Sequence, residues 1–186
     1  VETTNRAELI VFSSGGFAYK AKLCDFEDGK TSIMGVYLPS KLGFEENESV
    51  VGAVVTADYE GYVNFFFENG KAARVPLSSY ATKTNRRKLT GAYSTKSPLI
   101  GITSGDGDVV LTATSGKVLL LSPAAVPPKS ARDTAGVQVM RFTARHKLLS
   151  AASYLPGALL APDRHRAKNL PAAGTLPEPD RQMELE

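Results

Sequence analysis

Residues 61–77, GYVNFFFENGKAARVPL, decide how the chain is read. Apolar and aromatic residues flank Asn69-Gly70, a pair whose tolerance of positive φ suits the turn of a β-hairpin. Two further stretches carry the same pattern: ELIVFSSGGFAYKAKL (8–23) around Gly15-Gly16, and GDVVLTATSGKVLLLS (107–122) around Ser115-Gly116. Each predicts strand, two-residue turn, strand. The likeness extends beyond the turns. Gly35, Gly91 and Gly136 follow Gly16, Gly70 and Gly116 by 19, 21 and 20 residues, and Gly52, Gly101 and Ser150 follow at intervals of 49.

A period of about 45 to 55 residues marks a repeat architecture whose units bury their apolar faces against one another. Each unit holds about four strands: a hairpin, then a polar loop, a glycine-bearing strand and a closing apolar strand. In VLTATSGKVLLL, Val118 and Leu120 fall on one side and Leu119 and Leu121 on the other, so both faces are apolar and the strand lies between neighbours. Glycines and prolines recur too often for long amphipathic helices. The expectation is an all-β, bladed fold of three four-stranded antiparallel repeats at about 7–57, 61–105 and 107–154, forming one domain over 7–154. The segment PSKLGFEENES lengthens the first unit. Residues 155–186 hold five prolines and read as a partly docked, partly flexible tail. WD40 blades need a Trp-Asp signature, and this chain has no Trp.

The net charge of +3 conceals an uneven distribution. Residues 1–60 carry five Lys and Arg against ten Asp and Glu, residues 61–154 carry thirteen against four, and residues 155–186 carry four against five. A single cysteine, Cys24, forms no internal disulfide and points to a reducing compartment. No stretch approaches the roughly 20 apolar residues of a membrane helix, so no membrane partner is expected. The start lacks an initiator Met, and the chain reads as a soluble piece of something longer.

FFFENGKAARVPLSSYATKTNRRKLTGAYS and ATSGKVLLLSPAAVPPKSARDTAGVQVM bring a known family into view. From about Glu8 to Tyr154 the sequence resembles the C-terminal domain of the A subunit of bacterial type IIA topoisomerases, DNA gyrase and topoisomerase IV, and especially the short form of clostridia-like bacteria. The resemblance implies a β-pinwheel, a propeller-like ring of four-stranded blades that exchange strands and bend DNA over a basic outer rim. Complete members have five or six blades. With three repeats, an open arc is expected. It also implies a bacterial cytoplasmic, nucleoid-associated setting and no cofactor. The partners it implies are duplex DNA, the rest of the A subunit, plus the ATPase B subunit reached through it. The DNA-cleaving tyrosine lies upstream in this family, so the piece is expected to be non-catalytic. The gyrase box Q-R-R-G-G-x-K/R-G has no counterpart here, which favours a topoisomerase IV-like or degenerate gyrase-like role.

The loops between hairpin and glycine strand are the candidate DNA-binding elements. The second, SSYATKTNRRKLTG, holds Lys83, Arg86, Arg87 and Lys88, and the third, AAVPPKSARDTAG, holds Lys129 and Arg132. Cations at matching places on successive blades form a curved stripe that a phosphate backbone can follow with release of counterions. Thr82, Thr84 and Ser130 add hydroxyls that position a duplex without reading bases. Lys71, Lys96 and Lys117, near the hairpin turns, are secondary candidates, since a lysine there also serves to blunt an exposed edge. A solvated loop that keeps the domain soluble explains the same cations. The first loop carries Asp25, Glu27 and Asp28 beside Lys30, and a protein-interaction scaffold docking through this acidic unit is the alternative function.

Other chemistry finds little support. Ser115-Gly116-Lys117 lacks the spacing of a phosphate-binding loop, and Gly105 to Asp108 lacks the distal Glu of a calcium loop. His146 and His165 have no second ligand at metal spacing. Cys24, with no histidine nearby in sequence, is expected to pack as a small apolar side chain.

Overall fold

A computed structural model describes residues 6–26, 35–82, 86–143 and 145–177. Blade 1 is built on β1 (Glu8–Ser13) and β2 (Ala18–Lys22), blade 2 on β4 (Tyr62–Phe67) and β5 (Lys71–Pro76), and blade 3 on β8 (Val109–Ala113) and β9 (Val118–Leu121). All three pairs are antiparallel hairpins. Only the last glycine of each turn has positive φ: Gly16 at 79°, Gly70 at 77° and Gly116 at 78°. Each donates its N–H three residues back, to Ser13, Phe67 and Ala113. The turns are thus three-residue loops closed by a left-handed glycine, a correction to the two-residue turns expected from sequence. Asn-Gly, Gly-Gly and Ser-Gly pairs suit either geometry, and the extra loop residue decides between them.

A third strand follows each hairpin: β3 (Val50–Thr56), β7 (Leu99–Ser104) and β11 (Leu148–Ser153). Each pairs with the first strand of its own hairpin and carries one bulged residue, Val51, Ile100 and Leu149 in turn. Bulges sharpen local twist, and 49 residues separate one from the next. β3 packs on β7 and β7 on β11, so these are the inner strands of the arc. They approach closely because the facing residues are small. A Cβ on Gly52 would lie 2.9 Å from Ile102, and one on Gly101 would lie 2.6 Å from the Ala151 carbonyl oxygen.

The fourth strand of a blade comes from the next repeat. β6 (Lys88–Leu89) of repeat 2 pairs with β2, and β10 (Val137–Gln138) of repeat 3 pairs with β5, giving sheet orders β3-β1-β2-β6 and β10-β5-β4-β7. Blade 3 has the order β11-β8-β9. Residues 35–37 of repeat 1, where sequence placed the matching glycine strand, join no described sheet, and Val36 and Tyr37 are exposed.

Two apolar clusters hold the arc together. The first lies between blades 1 and 2, where Phe12 meets Phe65 and Tyr80 edge-on at ring distances of 5.2 and 5.5 Å and Tyr93 stacks on Phe65. The second lies between blades 2 and 3 and includes Phe66, Leu111, Leu119, Leu121 and Met140. Because strand side chains alternate, Val63, Phe65 and Phe67 enter the first cluster while Phe66 enters the second. Neither cluster joins blade 1 to blade 3, so the described blades form an open arc.

The two outer faces are covered differently. On blade 1 the inserted segment forms α1 (Leu38–Leu42), ends at Gly43 in the left-handed conformation, and lays Phe44 on Tyr19 at 4.4 Å. Glu48 accepts hydrogen bonds from Tyr19 Oη (2.7 Å) and Ser13 Oγ (3.2 Å). On blade 3, residues after Tyr154 fold back, and α2 (Pro162–His165) packs on β9 with His165 buried. Residues 178–186, the acidic end of the chain, lie outside the described residues. Cys24, expected to be packed, is exposed on the 3-10 turn of Leu23–Asp25, which buries no residue. No described helix is long and apolar enough to cross a membrane.

Candidate nucleic-acid interface

Since the donated strand is outermost, the loop that leads to it lies on the rim. In repeat 2 the loop departs from a 3-10 turn at Leu77–Tyr80 whose Leu77 and Tyr80 are buried, and Tyr80 Oη donates to the Ala92 carbonyl at 2.6 Å. It returns through Leu89, Ala92 and Tyr93, all buried, with Tyr93 Oη bonded to the Ser13 carbonyl at 2.7 Å. Both ends are therefore fixed by core anchors. Arg86 and Arg87 are exposed and form no ion pair among the described residues, while Lys83 and Thr84 lie outside those residues.

Arg86 and Arg87 come to rest beside β2. Lys20 N–H donates to the Arg87 carbonyl at 2.7 Å. A hollow of about 120 Å³ is lined by Glu8, Lys20, Lys22, Asp25, Arg86 and Arg87, and an adjoining one of about 160 Å³ adds Lys41. Five cations and two carboxylates thus gather on the rim of blade 1. Lys20 is the structural member of the group, with its side chain only 9% exposed. Its Nζ reaches the Tyr80 carbonyl (3.3 Å), Thr82 Oγ1 (3.2 Å) and Glu8 (3.5 Å), and lies over the Tyr59 ring. Burial, with Glu8 accepting its hydrogen bond, pushes the Tyr59 hydroxyl pKa up, so it stays protonated. Lys22 and Lys41 escaped the sequence reading. The alternation of AYKAK around Lys20 and Lys22 was the available signal, but only the donated strand shows which loop they face.

The other candidates divide into three kinds. Lys129 is exposed on the loop of repeat 3, and its N–H donates to the Arg74 carbonyl at 2.9 Å. Lys20 and Arg74 are both the fourth residue after their turn glycine, so Arg87 and Lys129 meet the same position of the outer hairpin strand on blades 1 and 2, Arg87 by accepting from it and Lys129 by donating to it. Arg132 and Lys88 are engaged in the fold. Arg132 donates to the carbonyls of Ser79 (3.5 Å) and Thr90 (3.2 Å), joining two loops across a groove of about 550 Å³ that Ser130 also lines. Lys88 pairs with Glu45 and lies 3.9 Å from the Phe17 ring centre, and the Glu45 carboxylate raises its pKa. The third kind lies near the hairpin turns, away from the rim cluster. Lys71 and Lys117 directly follow Gly70 and Gly116, and Lys96 is exposed on a segment whose Thr95 touches Gly16. Lys117 shares a separate hollow of about 410 Å³ with Arg141, Phe142 and His146.

This arrangement can hold a curved polyanion by charge and backbone shape. Among the described residues no group of three or more His, Cys, Asp or Glu is placed to bind a metal.

The family model described as "DNA gyrase C-terminal domain, beta-propeller" matches residues 7–57 and 107–153. Curated relatives include the DNA gyrase A protein of Mycobacterium leprae, 24% identical over 148 residues, covering 76% of this chain and 12% of that protein. The DNA gyrase A protein of Escherichia coli K12 is 25% identical over 150 residues, covering 76% of this chain and 17% of that protein. The chain therefore spans less than a fifth of the length of either relative. Among solved structures, the C-terminal domain of a DNA topoisomerase IV superposes with a TM-score of 0.76 at 18% identity, over 95% of this chain and 60% of that one. The E. coli ParC C-terminal domain gives 0.68 at 11% identity, over 96% and 79%. A DNA gyrase A C-terminal domain gives 0.60 at 13% identity, over 93% and 60%. At these identities the likeness is one of fold.

Proposed function

The chain belongs to the DNA gyrase C-terminal domain family, an accessory rather than a catalytic domain, and from that premise we propose that it binds and bends duplex DNA along its rim. The observation that carries this reading is that Arg87 and Lys129 each meet, through the backbone, the residue four after the turn on successive blades, with Arg86, Lys22 and Lys41 beside the first. Cations that meet this strand position on successive blades follow the arc, and a phosphate backbone can follow the cations. Contacts to phosphate position a duplex without selecting its sequence. The free energy comes chiefly from counterion release. The partners are duplex DNA, the rest of the A chain of a type IIA topoisomerase and, through it, the ATPase B chain, in the bacterial cytoplasm at the nucleoid. Of the sequence candidates, Lys83, Arg86, Arg87 and Lys129 are the direct phosphate contacts. Lys88 and Arg132 chiefly shape the loops, and Lys71, Lys96 and Lys117 form a secondary surface.

Binding of the chain to two duplexes of unrelated sequence over a salt series tests the reading. Equal affinities that fall with salt, by about 0.9 in log affinity per log salt for each phosphate contact, support it. Affinity that is insensitive to salt, or undetectable at low salt, rejects it and favours a protein-docking scaffold.

A further inference from the structure

Residues 161–177 repeat, on blade 3, what the loop and donated strand of repeat 3 do on blade 2. On blade 2 two contacts are made to β5. Pro128 bridges Arg74 with the Lys129 N–H on the Arg74 carbonyl, and Val137 pairs with Ala72. On blade 3 the same two positions of β9 are met. Arg166 bridges Leu120 with the Ala167 N–H on the Leu120 carbonyl at 2.9 Å, and Thr175 pairs with Val118 through two hydrogen bonds of 2.8 and 2.9 Å. Ala72 and Val118 are each the second residue after their turn glycine, and Arg74 and Leu120 the fourth. Pro128 to Val137 and Arg166 to Thr175 are both nine residues.

The backbone matches as well. Gly136 and Gly174, each one residue before the paired position, have φ of 71° and 70°, and a Cβ on either would crowd the carbonyl of Ala72 or of Val118 respectively. A single helical turn opening on proline precedes each segment, at Pro123–Ala125 and Pro162–His165. A tail that merely rests on a surface has no reason to share register, spacing and a left-handed glycine with a repeat. Hydrogen bonds fasten it: Thr175 Oγ1 to His165 Nδ1 at 2.6 Å joins its two ends, and Arg166 pairs with Asp108 at 2.8 Å. Two residues beyond Arg166, Lys168 is exposed, next to the backbone contact that corresponds to that of Lys129 on blade 2.

We infer that residues 161–177 are the donor half of a fourth repeat that completes blade 3, and that Lys168 carries the phosphate-binding rim onto that blade. The second half rests on the DNA-binding reading above. The donated segment seals the edge of β9, which otherwise presents unpaired N–H and C=O groups to any other strand. It also makes the rim three stations long, with Arg86 and Arg87, then Lys129, then Lys168.

Two measurements on the full chain test the two halves. Gly174→Val, which puts a β-branched side chain at positive φ against the Val118 carbonyl, removes hydrogen-exchange protection from the Val118 and Ala167 amides and leaves the Val11 and Tyr19 amides protected. Unchanged protection at Val118 and Ala167 overturns the donor assignment. Thr175→Pro, which deletes the N–H donated to Val118, checks the same amides. Lys168→Ala flattens the salt slope of duplex binding by about 0.9. If Arg86→Ala with Arg87→Ala flattens the slope and Lys168→Ala does not, the third station is wrong and the DNA-binding reading stands. If neither changes it, the DNA-binding reading and the third station fall together.

Discussion

β3, β7 and β11 carry the same bulge one residue before Gly52, Gly101 and Ser150, whereas the rim is met by loops as unlike as CDFEDGKTSIMG, SSYATKTNRRKLTG and AAVPPKSARDTAG. The central inner strand β7 is constrained from both sides, because it packs on β3 and β11 and Gly101 approaches the Ala151 carbonyl at a separation that admits no added methyl group. The rim loops are anchored at their ends by residues such as Tyr80 and Leu89, and Arg86 and Arg87 between those anchors are exposed. Repetition in this molecule records packing. Departure from repetition falls on the rim, the surface proposed to bind DNA.

That contrast can be broken first at Gly101. Gly101→Val places its Cβ 2.6 Å from the Ala151 carbonyl oxygen, and overpacking between β7 and β11 costs about 3 kcal/mol. A urea midpoint near that of the parent protein means the inner strands do not set blade spacing.

A smaller effect sharpens the contrast at the covered face of blade 1. Burial alone raises the Glu48 pKa, but hydrogen bonds from Tyr19, the Glu45 backbone and Ser13, with Lys88 nearby, outweigh it and hold the carboxyl below its ordinary value. A carboxyl lowered in the folded state adds stability that is fully present above its unfolded value of about 4.3 and is lost as pH falls through the folded value. The protein therefore loses stability as pH drops below about 4.3, and Glu48→Gln removes part of that dependence while lowering stability at neutral pH. An unaltered pH profile in Glu48→Gln assigns the acid response to other groups.

Much of this was open to reading in the sequence. The three hairpins follow from β-branched and aromatic runs around glycine pairs, and the 49-residue spacing locates the inner strands, because both are local or strictly periodic signals. Strand donation was not legible from the residues themselves. β6 and β10 are two residues long, and their pairing with the preceding blade is decided by tertiary register. The candidate site suffered accordingly. Lys88 and Arg132 look like free loop cations until Glu45, Phe17 and the Ser79 and Thr90 carbonyls are seen around them. Lys22 and Lys41 look incidental until the loop of another repeat is laid beside them. The prolines after Tyr154 read as a partly docked, partly flexible tail, and in the structure Pro162 opens a helical turn packed on blade 3.

The rim itself bears the test that matters most, and it is expected to leave stability unchanged. Arg86, Arg87 and Lys129 are exposed, and converting all three to Ala keeps the urea midpoint of the parent protein. The decisive quantity is the slope of log affinity for duplex DNA against log salt, with the three-Ala variant beside the parent. Removing three phosphate contacts flattens that slope by up to about 2.7, equally for duplexes of unrelated sequence. A variant that is folded and binds with the parent slope and affinity contradicts the assignment of the rim as the DNA-binding surface.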